Sequence, residues 1–139
     1  MNTNKLIIGG VLGTIVYFVV TTVVWMTFYN QIFTTHSLTG FMKPDEEINY
    51  PALLLSTAAV GFLLSYVITG KSGMNLSKGF ITGTVIGFLY NATFDLTFYS
   101  SSHLFKGYKI VLLDIVLYAV LAGIAGAAVG WYAQRSKTS

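Results

Sequence analysis

Four long apolar stretches, separated by short polar segments, dominate the pattern of hydrophobic and polar positions along the chain. They cover residues 6–29, 48–70, 79–94 and 115–134. A helix needs about 20 predominantly apolar residues to cross the hydrocarbon core of a bilayer. The third stretch reaches that length when residues 95–100 are added, and the fourth does so when residues 110–114 are added. The pattern therefore predicts four transmembrane helices.

We expect a single domain over residues 1–139, an all-α membrane protein folded as a four-transmembrane-helix bundle. The predicted helices cover about residues 5–29, 46–70, 78–100 and 108–134, and an interfacial segment covers residues 30–44. That segment is too polar to span but carries enough apolar side chains to lie along the membrane surface. Pro44 and the acidic residues after it indicate the start of the second helix, with a bend at Pro51.

The composition favours a membrane protein and excludes several other classes. Hydrophobic residues make up 54% of the chain and charged residues 9%, whereas a soluble domain carries about 25% charged residues. The net charge of +3 is too small and too scattered for a nucleic-acid-binding surface. The chain has no cysteine, which excludes disulfides, thiolate metal sites and thiol catalysis. The expected partner is the lipid bilayer, and no cofactor is expected.

The basic residues are distributed unequally between the two predicted sides of the membrane. With four spans, both termini lie on one side. That side carries Lys5, Lys71, Lys78, Arg135 and Lys137, and the opposite side carries Lys43, Lys106 and Lys109. The positive-inside rule then predicts that both termini are cytoplasmic.

A weak internal repeat relates the two halves of the chain. A shift of 70 residues places Gly9 on Gly79, Gly13 on Gly83, and residues 27–29 on residues 97–99. Such a repeat predicts two duplicated helical hairpins related by an axis along the membrane normal. Chance similarity between apolar segments is the alternative.

Small residues recur every fourth position on the predicted helices. They include Gly79, Gly83 and Gly87 on the third helix, and Gly126 and Gly130 on the fourth. Small residues at this spacing let the backbones of membrane helices approach closely. We expect these glycines to pack the helices within one chain, and a seam between chains in a homo-oligomer is the alternative.

Candidate chemistry centres on Asp95, an acid within an apolar stretch. Aspartate at the centre of a membrane helix costs about 2.5–3.5 kcal/mol, so such residues usually face the bundle interior or water. Asn91 and Tyr99 lie on the same broad helix face. In an antiparallel hairpin that turns between residues 104 and 105, Asp95 pairs with Asp114 and Asn91 pairs with Tyr118. These five residues form the candidate ligand- or cation-binding site, because two neighbouring carboxylates favour a proton or cation between them.

Each acid also has a structural explanation. Asp95 could hydrogen-bond to neighbouring hydroxyl or backbone groups, and Asp114 could form an interfacial ion pair with Lys109. His36 and His103 could join the acids in a metal site. Since no spacing motif supports a metal site, we expect solvated loop histidines and no bound metal.

Residues 92–97 (ATFDLT), 106–108 (KGY) and 114–115 (DI) resemble a bacterial family of predicted membrane proteins of unknown function. That family has an alanine-threonine-tyrosine-aspartate-leucine-threonine motif, a lysine-glycine-tryptophan turn and a later aspartate-isoleucine pair. Phe94 and Tyr108 differ from it only in the type of aromatic ring. The resemblance implies four helices in a bacterial inner membrane and marks Asp95 and Asp114 as motif positions. It implies no activity.

Two kinds of function fit these features. A small transport or binding protein would hold a proton, cation or small cationic solute at Asp95 and Asp114. A structural or accessory subunit of a membrane complex would use the same polar residues to hold its helices together. An enzyme is not expected, because no nucleophile motif accompanies the acids.

Overall fold

In the computed structural model, all long regular elements within the described residues are helices. The structure describes residues 2–136, except for the side chain of Asp45. The helices are α1 (Thr3–Val24), α2 (Asn30–His36), α3 (Tyr50–Thr69), α4 (Leu76–Ser101) and α5 (Tyr108–Arg135). Lys137, one of the basic residues counted on the side of the termini, lies outside the described residues.

Three helical segments within residues 2–136 are long and apolar enough to cross a membrane. They are Thr3–His36, Tyr50–Thr69 and Tyr108–Arg135. Large apolar side chains cover their outer faces, among them Met26 and Leu55, which are 77% and 73% exposed. Such a continuous apolar surface requires lipid rather than water around it. The chain is therefore an integral membrane protein. The fourth long helix, α4, is the least apolar of the long helices and is not a clear span by composition.

The first membrane helix extends beyond its predicted end at residue 29. A π-helical turn, Trp25–Tyr29, joins α1 directly to α2, and the N–H of Asn30 donates to the carbonyl of Trp25. The prediction of a separate interfacial segment is therefore wrong for residues 30–36. The polar residues of α2 fit a helix because the hydroxyl groups of Thr34 and Thr35 donate to carbonyls one turn earlier, while Phe33 packs inward.

The second membrane helix starts at Tyr50, later than the predicted residue 46. The side chain of Asn49 accepts the N–H of Ala52 at 3.1 Å and caps the helix. Pro51 lies in the first turn, where its missing N–H costs no hydrogen bond. The predicted bend at Pro51 is therefore wrong. The residues Asp45–Glu47 form only a short 3₁₀ turn.

Helix α5 is the centre of the bundle. It packs against α4 along its length and also contacts α1 and α3, while α1 and α3 pack against each other. The α1–α3 contact is close at Gly13, which faces the backbone of Gly61. In the same contact, the hydroxyl of Ser65 donates to the carbonyl of Leu6 at 2.8 Å. The two hairpins, α1–α3 and α4–α5, thus meet around α5.

In the contact between α4 and α5, backbone atoms of the two helices lie directly against each other. The glycines that the sequence marks for helix packing all lie there: Gly79, Gly83, Gly87, Gly126 and Gly130. A methyl group on Gly83 would meet the carbonyl oxygen of Ala122 and come within 3.0 Å of the Cα atom of Gly126. Only glycine allows this approach, which holds the two helices in register from end to end.

Candidate functional site

A cavity of about 270 Å³ lies at the end of the bundle opposite the described chain ends, between α2, the last turns of α4 and the first turns of α5. Five polar side chains line it: Tyr29, Asn91, Asp95, Asp114 and Tyr118. Four of them were selected from the sequence. The close packing of α4 on α5 brings the four residues of these two helices together around the cavity.

The remaining walls of the cavity are mainly aromatic. Its aromatic residues are Trp25, Tyr29, Phe33, Phe41, Phe94, Phe98, Phe105 and Tyr118. Several of the rings contact each other, with ring centres 5.8 Å apart for Trp25 and Tyr29 and 6.0 Å apart for Tyr29 and Tyr118. These separations lie within the usual range for stabilising ring pairs. Five of the rings therefore form a connected aromatic wall: Trp25, Tyr29, Phe33, Phe105 and Tyr118.

The side chains of Asp95 and Asp114 meet in this cavity. They lie within hydrogen-bonding reach of each other and are only 8% and 7% exposed. The antiparallel pairing of α4 and α5 predicts this meeting, because the two residues are equally distant from the turn. In an apolar environment such a contact is favourable when a proton or another cation lies between the two carboxyl groups.

Tyr29 is a member of the site that the sequence analysis did not select. Its side chain is 1% exposed, and its hydroxyl donates to Oδ1 of Asp114. Tyr29 ends the π-helical turn, and Trp25 at the start of that turn also lines the cavity. A signal was present, since Tyr29 continues a row with Tyr17 and Thr21 at a spacing of four residues along the first helix.

The other predicted residues occupy different positions relative to the acids. Asn91 lines the cavity, and its side-chain N–H donates to the carbonyl of Gly87 at 2.8 Å. Tyr118 forms part of the aromatic wall. Tyr99 is 42% exposed and does not line the cavity. Residues four apart on a helix differ by about 40° in direction, and this rotation carries Tyr99 away from the face of Asp95. The sequence analysis expected Tyr99 beside the acids, and the structure places it outside the cavity.

The structural explanation of Asp114 as an ion pair with Lys109 is not what the structure shows. Asp114 is buried against Tyr29 and Asp95, whereas Lys109 is exposed. His36 and His103 are also exposed. Among the described residues, no lysine, arginine or histidine lines the cavity. One carboxylate oxygen, Oδ2 of Asp95, is buried and has no hydrogen-bond partner within residues 2–136.

The segment after α2 forms one edge of the cavity. The N–H of Leu38 donates to the carbonyl of Leu104, and the N–H of Lys106 donates to the carbonyl of His36, both at 2.8 Å. These bonds attach the segment to the turn between α4 and α5. Farther along it, Phe41 and Met42 line the cavity and remain about half exposed, so they form its mouth.

Comparison with known proteins identifies a family but no activity. The family described as "Predicted membrane protein (DUF2177)" matches residues 7–132. No curated protein and no solved structure matches the chain. The match confirms the resemblance seen in the motifs around Asp95 and Asp114, and it extends over both hairpins. The chain therefore belongs to this family of predicted membrane proteins of unknown function.

Proposed function

We propose that the protein binds or transports a proton, a cation or a small cationic solute through the carboxyl groups of Asp95 and Asp114. The observation that carries this proposal is their meeting inside a cavity, with one carboxylate oxygen of Asp95 unpartnered among the described residues. Buried polar groups are normally hydrogen-bonded. A buried carboxylate oxygen without a partner, on a residue that lines a cavity, therefore favours a proton or another cation beside it.

The charges around the cavity support a positively charged ligand. Two carboxylates close together in an apolar site cannot both stay ionised without a large cost. Tyr29 compensates part of the charge of Asp114 by donating its hydroxyl. No basic side chain of the described residues lines the cavity to compensate the rest. A proton or a cation from outside the chain would do so.

The proposal includes a four-span topology, with α4 as the fourth span and both termini in the cytoplasm of a bacterial cell. The support for α4 as a span is its packing along α5, which is itself long and apolar enough to cross. With its 26 residues, α4 is about 39 Å long, which exceeds the hydrocarbon thickness of about 30 Å. The cavity would then open on the outer face of the inner membrane.

Cysteine labelling tests this topology directly, because the natural chain has no cysteine. Ser72, before α4, and His103, after it, are both exposed. In intact cells, a membrane-impermeant maleimide should label His103→Cys, and it should label Ser72→Cys only after the membrane is permeabilised. Labelling of His103→Cys in intact cells, and of Ser72→Cys in permeabilised cells, should each exceed the labelling of Ser72→Cys in intact cells by about tenfold or more, since a charged reagent crosses hydrocarbon poorly. Labelling of both positions from the same side would contradict the crossing of α4.

Ion flux in reconstituted vesicles tests the role of the acids. We expect Asp95→Asn and Asp114→Asn each to lower proton or sodium flux by about tenfold or more, because one charge-assisted hydrogen bond is worth about 1.5–3 kcal/mol. Glu47→Gln makes the same chemical change at an exposed position and should leave the flux unchanged.

The fold of each variant is checked by its unfolding transition in detergent. Flux that falls only in the two cavity variants, with folding preserved, supports the proposal. Equal flux in all variants contradicts transport through the acids; if the acids also bind no cation, the role of an accessory subunit is left, in which the acids hold the helices together.

A further inference from the structure

The walls of the cavity narrow the kind of cation that it would hold. Eight of its lining residues are aromatic. The face of an aromatic ring attracts a nearby ammonium group, and surrounding rings recognise organic ammonium ions in many proteins. A calcium or magnesium ion instead needs about six or more oxygen ligands. Only five lining side chains are polar, and Tyr29 already donates its hydroxyl to Asp114. The walls therefore favour an organic cation over a calcium or magnesium ion.

The unpartnered oxygen of Asp95 indicates the form of the cationic head group. Oδ2 of Asp95 is buried and lacks a donor within residues 2–136, and the residue is 92% buried. Asp114, in contrast, already accepts the hydroxyl of Tyr29. A protonated amine brings both a positive charge and an N–H donor, so it suits the carboxyl group to which this oxygen belongs. A quaternary ammonium ion brings the charge without the donor. The site therefore favours an amine with at least one N–H.

The size of the cavity limits the rest of the ligand. Its volume is about 270 Å³, whereas sites for drug-sized ligands have volumes of about 300–1,000 Å³. The ligand is thus smaller than a typical drug and carries one small apolar group beside its amine. Met42 at the mouth is unbranched and half exposed, and such a side chain adapts easily to different apolar groups.

Resting on the proposed function, we infer that the ligand is a small organic amine in its protonated form. Its N–H group donates to the carboxylate of Asp95, its charge lies beside both carboxyl groups, and its apolar part lies against the rings of Trp25, Phe33 and Phe98. This inference names the substrate class of the site that the proposed function assigns to the acids.

A fluorescence titration tests the inference with a charged probe and a neutral probe of similar shape. The chain has two tryptophans, and Trp25 lines the cavity, so Trp131→Phe leaves Trp25 as the reporter. The full-length protein in lipid nanodiscs is titrated with benzylammonium chloride and, separately, with benzyl alcohol. We expect benzylammonium to quench or enhance the Trp25 fluorescence in a saturable way. Its dissociation constant should be about tenfold or more below that of benzyl alcohol, since only the amine makes a charge-assisted hydrogen bond.

Variants that also carry Trp131→Phe separate the contribution of the carboxylate from that of the aromatic rings. Asp95→Asn should weaken benzylammonium binding by about tenfold or more, because it removes the charged acceptor. Phe98→Leu should weaken it about two- to fivefold, the effect of one cation–π contact at a half-exposed position. Phe88→Leu changes an equally exposed ring on the same helix that does not line the cavity, and it should have no effect.

The outcomes distinguish this inference from the proposed function. Tighter binding of the amine, weakened by Asp95→Asn and Phe98→Leu but not by Phe88→Leu, supports the inference. Equal affinity for the two probes overturns it, as does an unchanged affinity in folded Asp95→Asn and Phe98→Leu proteins. If proton or sodium flux depends on the acids while benzylammonium does not bind, the proposed function stands and the inference alone is overturned. If neither flux nor binding depends on the acids, both are overturned.

Discussion

Replacing Gly83 with leucine is expected to lower the free energy of unfolding by about 3 kcal/mol, the upper end of the usual cost of overpacking. Even a methyl group at Gly83 would meet the carbonyl oxygen of Ala122 and crowd the backbone of Gly126. A leucine side chain therefore forces α4 away from α5. Membrane helices associate largely through such close packing, because lipid already satisfies their apolar side chains. The measurement is the unfolding transition of the purified protein in a mild detergent titrated with a denaturing one.

Gly107→Leu is the control for this prediction. A Cβ atom on Gly107 would have no heavy atom within 4 Å, and its φ of 169° is extended backbone that any residue adopts. The unfolding transition of Gly107→Leu should therefore stay close to that of the natural protein. If the two variants are destabilised equally, the stability of the bundle does not depend on the close approach of α4 to α5.

Replacing Tyr29 with alanine is expected to lower the free energy of unfolding by about 3–5 kcal/mol, as for other buried aromatic residues cut to alanine. Tyr29 is 1% exposed, and its ring contacts those of Trp25, Phe33 and Tyr118. The substitution removes these ring contacts together with the hydroxyl that Asp114 accepts. The same unfolding transition measures the loss.

Two other variants separate the contributions of Tyr29. Tyr29→Phe keeps the ring and removes only the hydroxyl, so it should cost about 1–3 kcal/mol, the usual penalty for a buried group left without its partner. Tyr99→Ala changes a tyrosine that is 42% exposed, and it should stay within about 0.5 kcal/mol of the natural protein. If Tyr99→Ala lowers the free energy of unfolding as much as Tyr29→Ala does, burial in the aromatic wall is not the cause of the destabilisation.

The parts of the fold that depend on local sequence spacing could be predicted well. Apolar stretches of sufficient length indicate the membrane helices, and glycines at a spacing of four predict the close-packing faces, two of which meet between α4 and α5. The meeting of Asp95 and Asp114 follows from their equal distance from one short turn. These features need only the period of the helix and the reversal of the chain, both of which can be read from a single sequence.

The parts that depend on contacts between distant segments could not be predicted. Tyr29 joins the site across the bundle, and no spacing rule relates it to Asp114. The extension of the first helix to His36 was missed because polarity was taken as the end of the helix, although threonine hydroxyls can bond within it. Tyr99 was misplaced because helix rotation accumulates over each four-residue step. The duplication of the two hairpins stays a prediction.

The π-helical turn has a consequence for how the length of this chain can vary among relatives. A π turn accommodates one residue more than an α-helical turn, and each residue of a helix rotates the chain by about 100°. Loss of one residue between Trp25 and Tyr29 would therefore convert the π turn into an α-helical turn and leave Phe33 facing the bundle, whereas loss of one residue from α1 itself would rotate the helix before it by about 100°. Among relatives, a length difference of one residue should therefore occur at the π turn, and longer insertions and deletions should occur at Thr39–Ile48, where the described side chains are largely exposed.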